Sequence, residues 1–278
     1  MESSISGLLL ILINVMVSYQ GLKDHNFLER YAFRVDKILI EKEYKRLITS
    51  GFLHVSWPHL IFNMLTLYSF SYGLETTLGQ TGFLSVYFGS LLGGSFFSLF
   101  IHRQHGDYSA VGASGAISGI VFACIALFPG MRIGFFGIPF YIPAWVYGLL
   151  YVLYSIYGIR SQKDNIGHEA HLGGGLIGLL IAIGMMPDTL FKNYVPILLI
   201  LVPSCIFIYL IITRPSLLWI DNLFQKQRQL YTLEDTYNIK KREKELELDL
   251  LLDKISKKGM DSLSKKEMDK LKQYSENK

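Results

Sequence analysis

The chain has 278 residues, is 50% hydrophobic and 14% aromatic, and is only 18% charged, against about 25% charge in ordinary soluble domains. Charges are sparse from residue 47 to residue 213 and dense, in both signs, from Arg214 to Lys278, a contrast that reads as a membrane body with a polar tail rather than a soluble domain. The net charge of +4 comes with no basic patch interleaved with aromatics, which argues against nucleic acid as a partner, and the two cysteines, Cys124 and Cys205, lie in apolar runs without a Cys-X-X-Cys, which argues against a disulfide or zinc-thiolate framework.

A membrane-crossing helix needs about 20 apolar residues to cover a core of about 30 Å. The first candidate is Ile5 to Tyr19. Met1 to Ser6 carries no basic residue and no small-residue cleavage site follows the run, so it reads as a retained span rather than a signal peptide. Gly21 to Arg46 is a polar loop with seven Lys or Arg and five Asp or Glu. The second helix is expected over about 57–74 and the third over 83–101, followed by a polar stretch from His102 to Ala110. The fourth starts no earlier than Ser114 and is stopped by Pro129-Gly130. It is therefore about 14 residues, or roughly 21 Å, and too short to cross. If its far end sits at one membrane face, Ser114 lies below the opposite face, and the loop before it dips into the bilayer. Irregular backbone at that depth is tolerated only where it is buried in protein or lines a watery cavity. Helix length alone thus predicts a hole in the bilayer with Ser114 at its floor.

The fifth helix is expected over 143–157, with Tyr147, Tyr151 and Tyr154 on one face. The sixth runs over 166–186 and the seventh over 195–212, and no internal repeat is visible. The whole reads as an all-α polytopic membrane protein. The even-numbered helices share a direction, so His171, about 23 Å from the far end of its helix, comes out at the depth of Ser114.

Helix six reads Gly167-His168-Glu169-Ala170-His171-Leu172-Gly173-Gly174, and Gly174 with Gly178 forms a small-xxx-small face, as Gly115 and Gly119 do on helix four. Such faces let two backbones approach closely. That approach is what a serine–histidine hydrogen bond between helices requires, and histidine has the pKa to take the serine proton and return it to a leaving amine. His59 and Asn63, four apart on helix two, share one helical face and offer N–H donors near one point, as an oxyanion site needs. His168-Glu169 is followed by a histidine at i+3 and not i+4, so no His-Glu-X-X-His zinc motif is present. His102, His105 and His168 read as histidines near the cavity mouth, with no metal and no cofactor expected.

These motifs resemble the rhomboid family of intramembrane serine proteases. The matching residues are His59-xxx-Asn63, Gly112-Ala113-Ser114-Gly115 and Ala170-His171-Leu172-Gly173-Gly174 in that order, with Arg46-Leu47, Thr49-Ser50-Gly51-Phe52-Leu53-His54 and Gly73-Leu74-Glu75 around helix two. The resemblance covers roughly residues 5 to 187. It implies a six-helix core within residues 1–190, one additional membrane helix over 191–213, and a tail over 214–278. It further implies a Ser114–His171 dyad without a third acid, an oxyanion site made by the Ser114 backbone N–H with His59 and Asn63, and structural roles near the site for His54, Gly112, Gly115 and Gly174. Helix five would be a lateral gate. The substrates would be transmembrane segments with small residues and an easily unwound helix, and the partners those proteins and the lipid bilayer. A catalytically inactive relative that binds transmembrane helices is the alternative.

One position departs from the pattern. Relatives place an aromatic residue four after the serine, stacked on the catalytic histidine, where this chain has Ser118. The orientation of His171 then falls to Ser118 or to another helix.

In the tail, Leu246, Leu248, Leu250, Leu251, Leu252 and Ile255 suggest a helix ended by Gly259, and Ser264-Lys265-Lys266-Glu267 is a capping box. A helical hairpin near 240–275 is expected, as a docking or regulatory element for a protein partner rather than a second enzyme. The Lys/Arg-rich first loop and tail favour a cavity mouth on the cytosolic side, whereas the resemblance implies one facing outward in a bacterial cytoplasmic membrane.

Overall fold

A computed structural model describes residues 4–128, 130–135, 138–161 and 166–214, together with scattered positions between 251 and 271. Contacts divide the chain into two units, Met1–Gln225 and Lys226–Lys278.

In the first unit, α1 (Ile5–Lys23) is capped by Ser4, whose hydroxyl accepts from the Gly7 N–H. The polar loop that follows is folded rather than open. It contains α2 (His25–Tyr31), the short strand β1 (Phe33–Arg34), α3 (Val35–Leu39) and α4 (Arg46–Thr49). The buried Arg46 guanidinium ties it together, donating to the Glu29 and Ala32 carbonyls at 2.8 and 2.7 Å and to the Glu43 carboxylate at 2.6 Å. The same segment buries a small apolar cluster of Phe33, Val35, Ile38 and Leu47.

The second and third predicted helices are present as two arms that meet at a kink, labelled together α5 (Trp57–His102). Its 46 residues would extend about 69 Å, more than twice the bilayer core. Gly79, at φ 71° and ψ 171°, folds it into two arms, 57–78 and 80–102. Glycine adopts such a φ without steric cost. Glu75, one residue past the expected end of the second helix, is helical, and its carboxylate accepts hydrogen bonds from the hydroxyls of Ser4, which caps α1, and of Ser6 within it. Asn14 of α1 reaches the second arm, donating to the Tyr87 hydroxyl at 3.2 Å. Both arms thus lie against α1.

The short helix α6 (Ser114–Leu127) begins at Ser114 as its length requires, and residues 115–126 are all buried. Its last turn is held by Asn193, which donates to the Ala126 carbonyl at 2.7 Å. A strand β2 (Ser109–Ala110) before it pairs with β1. An antiparallel hairpin of β3 (Arg132–Phe135) and β4 (Ile138–Pro143), unforeseen in the sequence, joins α6 to α7 (Ala144–Ser161). The chain continues through α8 (His168–Met185), α9 (Thr189–Lys192) and α10 (Tyr194–Thr213).

By length and composition, α1, α5, α8 and α10 can cross a membrane, and α6 is shorter. Exposed Leu8, Leu12, Met16, Phe62, Phe96, Val202 and Ile206 give these helices an apolar outer surface. The molecule is an integral multi-pass membrane protein built entirely around helices.

Three elements run parallel and set the depth of the site. His59 touches Gly112 at one end of the first α5 arm, while Gly73 meets Phe128 at the other. On the α6–α8 interface, Gly115 faces Ala170, and the backbone of Gly115 occupies the place where a Gly174 side chain would stand. Any larger residue there would separate the two helices. In the second unit, Met268 N–H donates to the Ser264 carbonyl at 2.9 Å, an i to i−4 bond of helical type. Most of the expected hairpin over 240–275 lies outside the described residues.

Candidate active site

Ser114 is the first residue of α6 and His171 stands in the first turn of α8. Close contact of the two helices brings Ser114 Oγ to 2.7 Å from His171 Nε2. In the tautomer with the proton on Nδ1, the serine hydroxyl donates to Nε2, the arrangement in which the imidazole accepts that proton. His168, at the start of the same helix, is buried against Gly158 and meets Tyr154 edge-on with ring centroids 4.9 Å apart. Of the two histidines, His171 is the one that meets Ser114.

The loop before Ser114 is fixed by the Gly112 N–H, which donates to the Ser50 carbonyl at 3.0 Å. Gly112 has φ 139°, a conformation that disfavours any side chain. A Cβ at Gly112 would lie 3.1 Å from His59 Nε2 and 3.5 Å from Ser114 Oγ. The absent side chain leaves a space bounded by the hydroxyl and the His59 ring. Asn63 lines the same cavity, and its amide donates to the His59 carbonyl at 3.0 Å. One of its two amide N–H groups is used by that bond. His59 and Asn63 thus share the cavity with Ser114 and His171, all four among its lining residues. The cavity has a volume of about 1160 Å³.

His54 is buried outside the helices, behind His59. Its Nδ1 lies 2.8 Å from Ser18 Oγ of α1, and its ring meets the His59 ring edge-on at 4.8 Å. Ser18 already donates its single proton to the Phe52 carbonyl at 3.0 Å, so His54 donates from Nδ1. Burial, and secondarily the neighbouring His59, lowers the His54 pKa to about 3.

Two features were missed in the sequence. Tyr151 of α7 lies over the His171 ring, with centroids 5.8 Å apart and planes 29° apart, and its hydroxyl is 2.8 Å from Ser118 Oγ. Position 118 therefore contributes no ring and instead binds one supplied by another helix. The tyrosine periodicity of α7 was visible, but not which ring it meets. The second is a buried pair, His102 Nε2 to Glu169 Oε1 at 3.0 Å, with His102 stacked on Tyr108 at 3.6 Å. His102 ends α5 and is buried, where the sequence had suggested a polar loop. Burial, with the Glu169 carboxylate beside it, holds the Tyr108 phenol well above its usual range. Glu169 is engaged with His102, across the wall of the cavity.

The chain matches the Rhomboid domain over residues 41–188. It belongs to the rhomboid family. Among relatives, it is 34% identical over 185 residues to Rhomboid protein 1, mitochondrial, of Saccharomyces cerevisiae, covering 63% of this chain and 52% of that protein. It is 34% identical over 142 residues to a putative rhomboid protease of Bacillus subtilis, covering 50% and 66%. It is also 30% identical over 139 residues to the human presenilin-associated rhomboid-like protein, mitochondrial, covering 48% and 36%. This rhomboid chain spans about half the length of the first of these relatives. Residues 231–277 match a second domain, a family of unknown function (DUF6576).

Proposed function

We propose that this rhomboid protein is an intramembrane serine endopeptidase that cleaves transmembrane segments. The observation that carries the proposal is the 2.7 Å contact between Ser114 Oγ and His171 Nε2 at a cavity within a membrane helix bundle. Ser114 Oγ attacks the scissile carbonyl carbon as its proton passes to His171 Nε2. The oxyanion is held by the Ser114 N–H with the side chains of His59 and Asn63. The tetrahedral species collapses, the C–N bond breaks, and His171 gives its proton to the departing amine. Water, activated by His171, then hydrolyses the acyl-enzyme and frees Ser114.

A protease must bind extended backbone. A substrate helix with small residues at the cut and a weak local helix reaches that state at lower cost, so helix stability contributes to selection. The core would comprise residues 1–190, α10 within 191–213 would be an added span, and 214–278 a separate tail. The family match over 231–277 supports reading the tail as a unit of its own, and its role would be to dock a protein partner. The relatives divide on the compartment, the yeast and human ones being mitochondrial by name and the third being from Bacillus subtilis, and the reading kept here is a bacterial cytoplasmic membrane.

The test is cleavage of a single-span substrate by purified protein beside Ser114→Ala and His171→Ala. Cleavage by wild type only is expected. Full cleavage by either variant would end the dyad proposal. Binding of the span by wild type without cleavage would favour an inactive helix-binding protein.

A further inference from the structure

The imidazole of a histidine is not fixed by its own torsions. The terminal sp³–sp² torsion is broad, so the ring plane is set by what lies against its faces and by its hydrogen bonds. Here the face of His171 is covered by Tyr151, a residue of a different helix. The tyrosine is fixed in turn at its far end. Ser118 Oγ donates its only proton to the Ser114 carbonyl at 2.7 Å, so the Tyr151 hydroxyl donates to Ser118 Oγ across 2.8 Å. A continuous path therefore runs from the Tyr151 hydroxyl, through Ser118, to the backbone of Ser114, while the ring of the same tyrosine lies on His171. Tyr147 stacks behind it at 5.8 Å and 25°, and Phe122 of α6 meets its edge at 5.8 Å.

We propose that Tyr151, anchored by Ser118, is the positioning residue that holds the His171 ring at hydrogen-bonding distance from Ser114. The inference rests on the dyad reading above. One molecule of tyrosine senses both partners: its hydroxyl is tied to the nucleophile's own residue and its ring to the base. A second consequence follows from the helix that carries it. Tyr151 belongs to α7, which is seated against α6 and α10 through Gly148, packed on Ile125 and Ile200. Displacement of α7 from α6 by the width of a hydrogen bond releases Tyr151 from Ser118 and uncovers His171. The orientation of the base is thus conditional on the seating of α7, which it would not be with a ring supplied from α6 itself.

The test uses the full chain in detergent and reads both cleavage and modification of Ser114 by a fluorophosphonate probe across pH. Tyr151→Leu keeps an apolar filler and removes the ring. It is expected to lower kcat about 100-fold with KM little changed, the scale of effect that a misplacement of about 1 Å produces. It is also expected to lower the plateau rate of probe labelling at high pH. Tyr151→Phe keeps the ring and is expected to stay within about 5-fold of wild type, with Ser118→Ala similar, since each removes only the anchor. Adding Ser118→Tyr to Tyr151→Leu supplies a ring from α6 into the vacated space and is expected to recover at least a third of the lost rate in logarithmic terms. A wild-type plateau rate in Tyr151→Leu would overturn the proposal. So would a loss in Tyr151→Phe as deep as in Tyr151→Leu. Should Tyr151→Leu fail to fold, Tyr151→Met takes its place as a ring-free apolar filler, with the same loss of kcat and of labelling plateau expected and wild-type values of both overturning the proposal. Wild-type labelling in Ser114→Ala would instead sink the dyad reading itself, and is separable because it does not involve Tyr151.

Discussion

Acid should weaken this protein through one histidine that no membrane crosses. His54 is fully buried, donates from Nδ1 to Ser18, and has its pKa lowered to about 3 by burial and by its neighbour His59. In the unfolded chain the same imidazole titrates near 6.5. Between those values the unfolded state binds more protons than the folded state, so stability rises with pH across the window and is lost as pH falls from about 6.5 toward 3. At pH 5 the unfolded imidazole is about 1.5 pH units below its midpoint while the folded one is still neutral. At about 1.4 kcal/mol per unit, the loss relative to pH 8 is about 2 kcal/mol. The matching control is His54→Asn, because the asparagine amide stands where the Cγ–Nδ1 edge stood and can still donate to Ser18, but does not titrate. Unfolding free energies of both proteins in mild detergent, followed by circular dichroism at pH 8 and pH 5, give the difference directly. Wild type should lose about 2 kcal/mol more than His54→Asn over that interval. Equal losses in the two proteins would refute the account, since the carboxylates and the remaining histidines are common to both.

Two further outcomes follow from the site. Gly174→Val drives a branched side chain into the backbone of Gly115, and is expected to destabilise the fold by roughly 2–3 kcal/mol and to remove activity with it, read from the unfolding midpoint beside the cleavage rate. Asn63→Ala removes one proposed oxyanion donor without touching the Ser114–His171 pair, and should lower kcat by about 100-fold while leaving both KM and stability near wild type.

The depth of Ser114 was legible because it follows from length alone: fourteen residues cannot cross, and the structure begins α6 at that serine. The pairing with His171 was legible for the same reason, once parallel direction was assumed, and Gly115 and Gly174 showed where the two backbones meet. What escaped was long-range. His102 and Glu169 are 67 positions apart, and no local pattern ties them. The second and third helices stand as expected on either side of a kink at Gly79, but the first arm runs past the expected end at 74, where Ser4 and Ser6 of another helix meet Glu75. Tyr151 belonged to a visible stripe, but a stripe gives a face and not its partner. The rotation of α7 that turns it toward His171 is decided by packing against α6 and α10.

The contribution of α1 to the site is indirect, and its physics differs from that of a soluble helix. In lipid there is no hydrophobic force between helices, and association relies on packing and on polar groups that find one another. The outer residues of α1, such as Leu8, Leu12 and Met16, stay exposed and contribute nothing to its attachment. Its polar residues do: Ser4 and Ser6 hold Glu75 at the bend of α5, Asn14 holds Tyr87 on the second arm, and Ser18 holds His54. These are spaced along the whole helix and reach both arms, so they fix the bend and the start of α5 together. The start of α5 carries His59 and Asn63. His54 passes the constraint on, since it binds Ser18 on one side and abuts the His59 ring on the other. Polar residues that look costly in a membrane chain are therefore the means by which a helix with no residue in the cavity determines the position of two residues that line it.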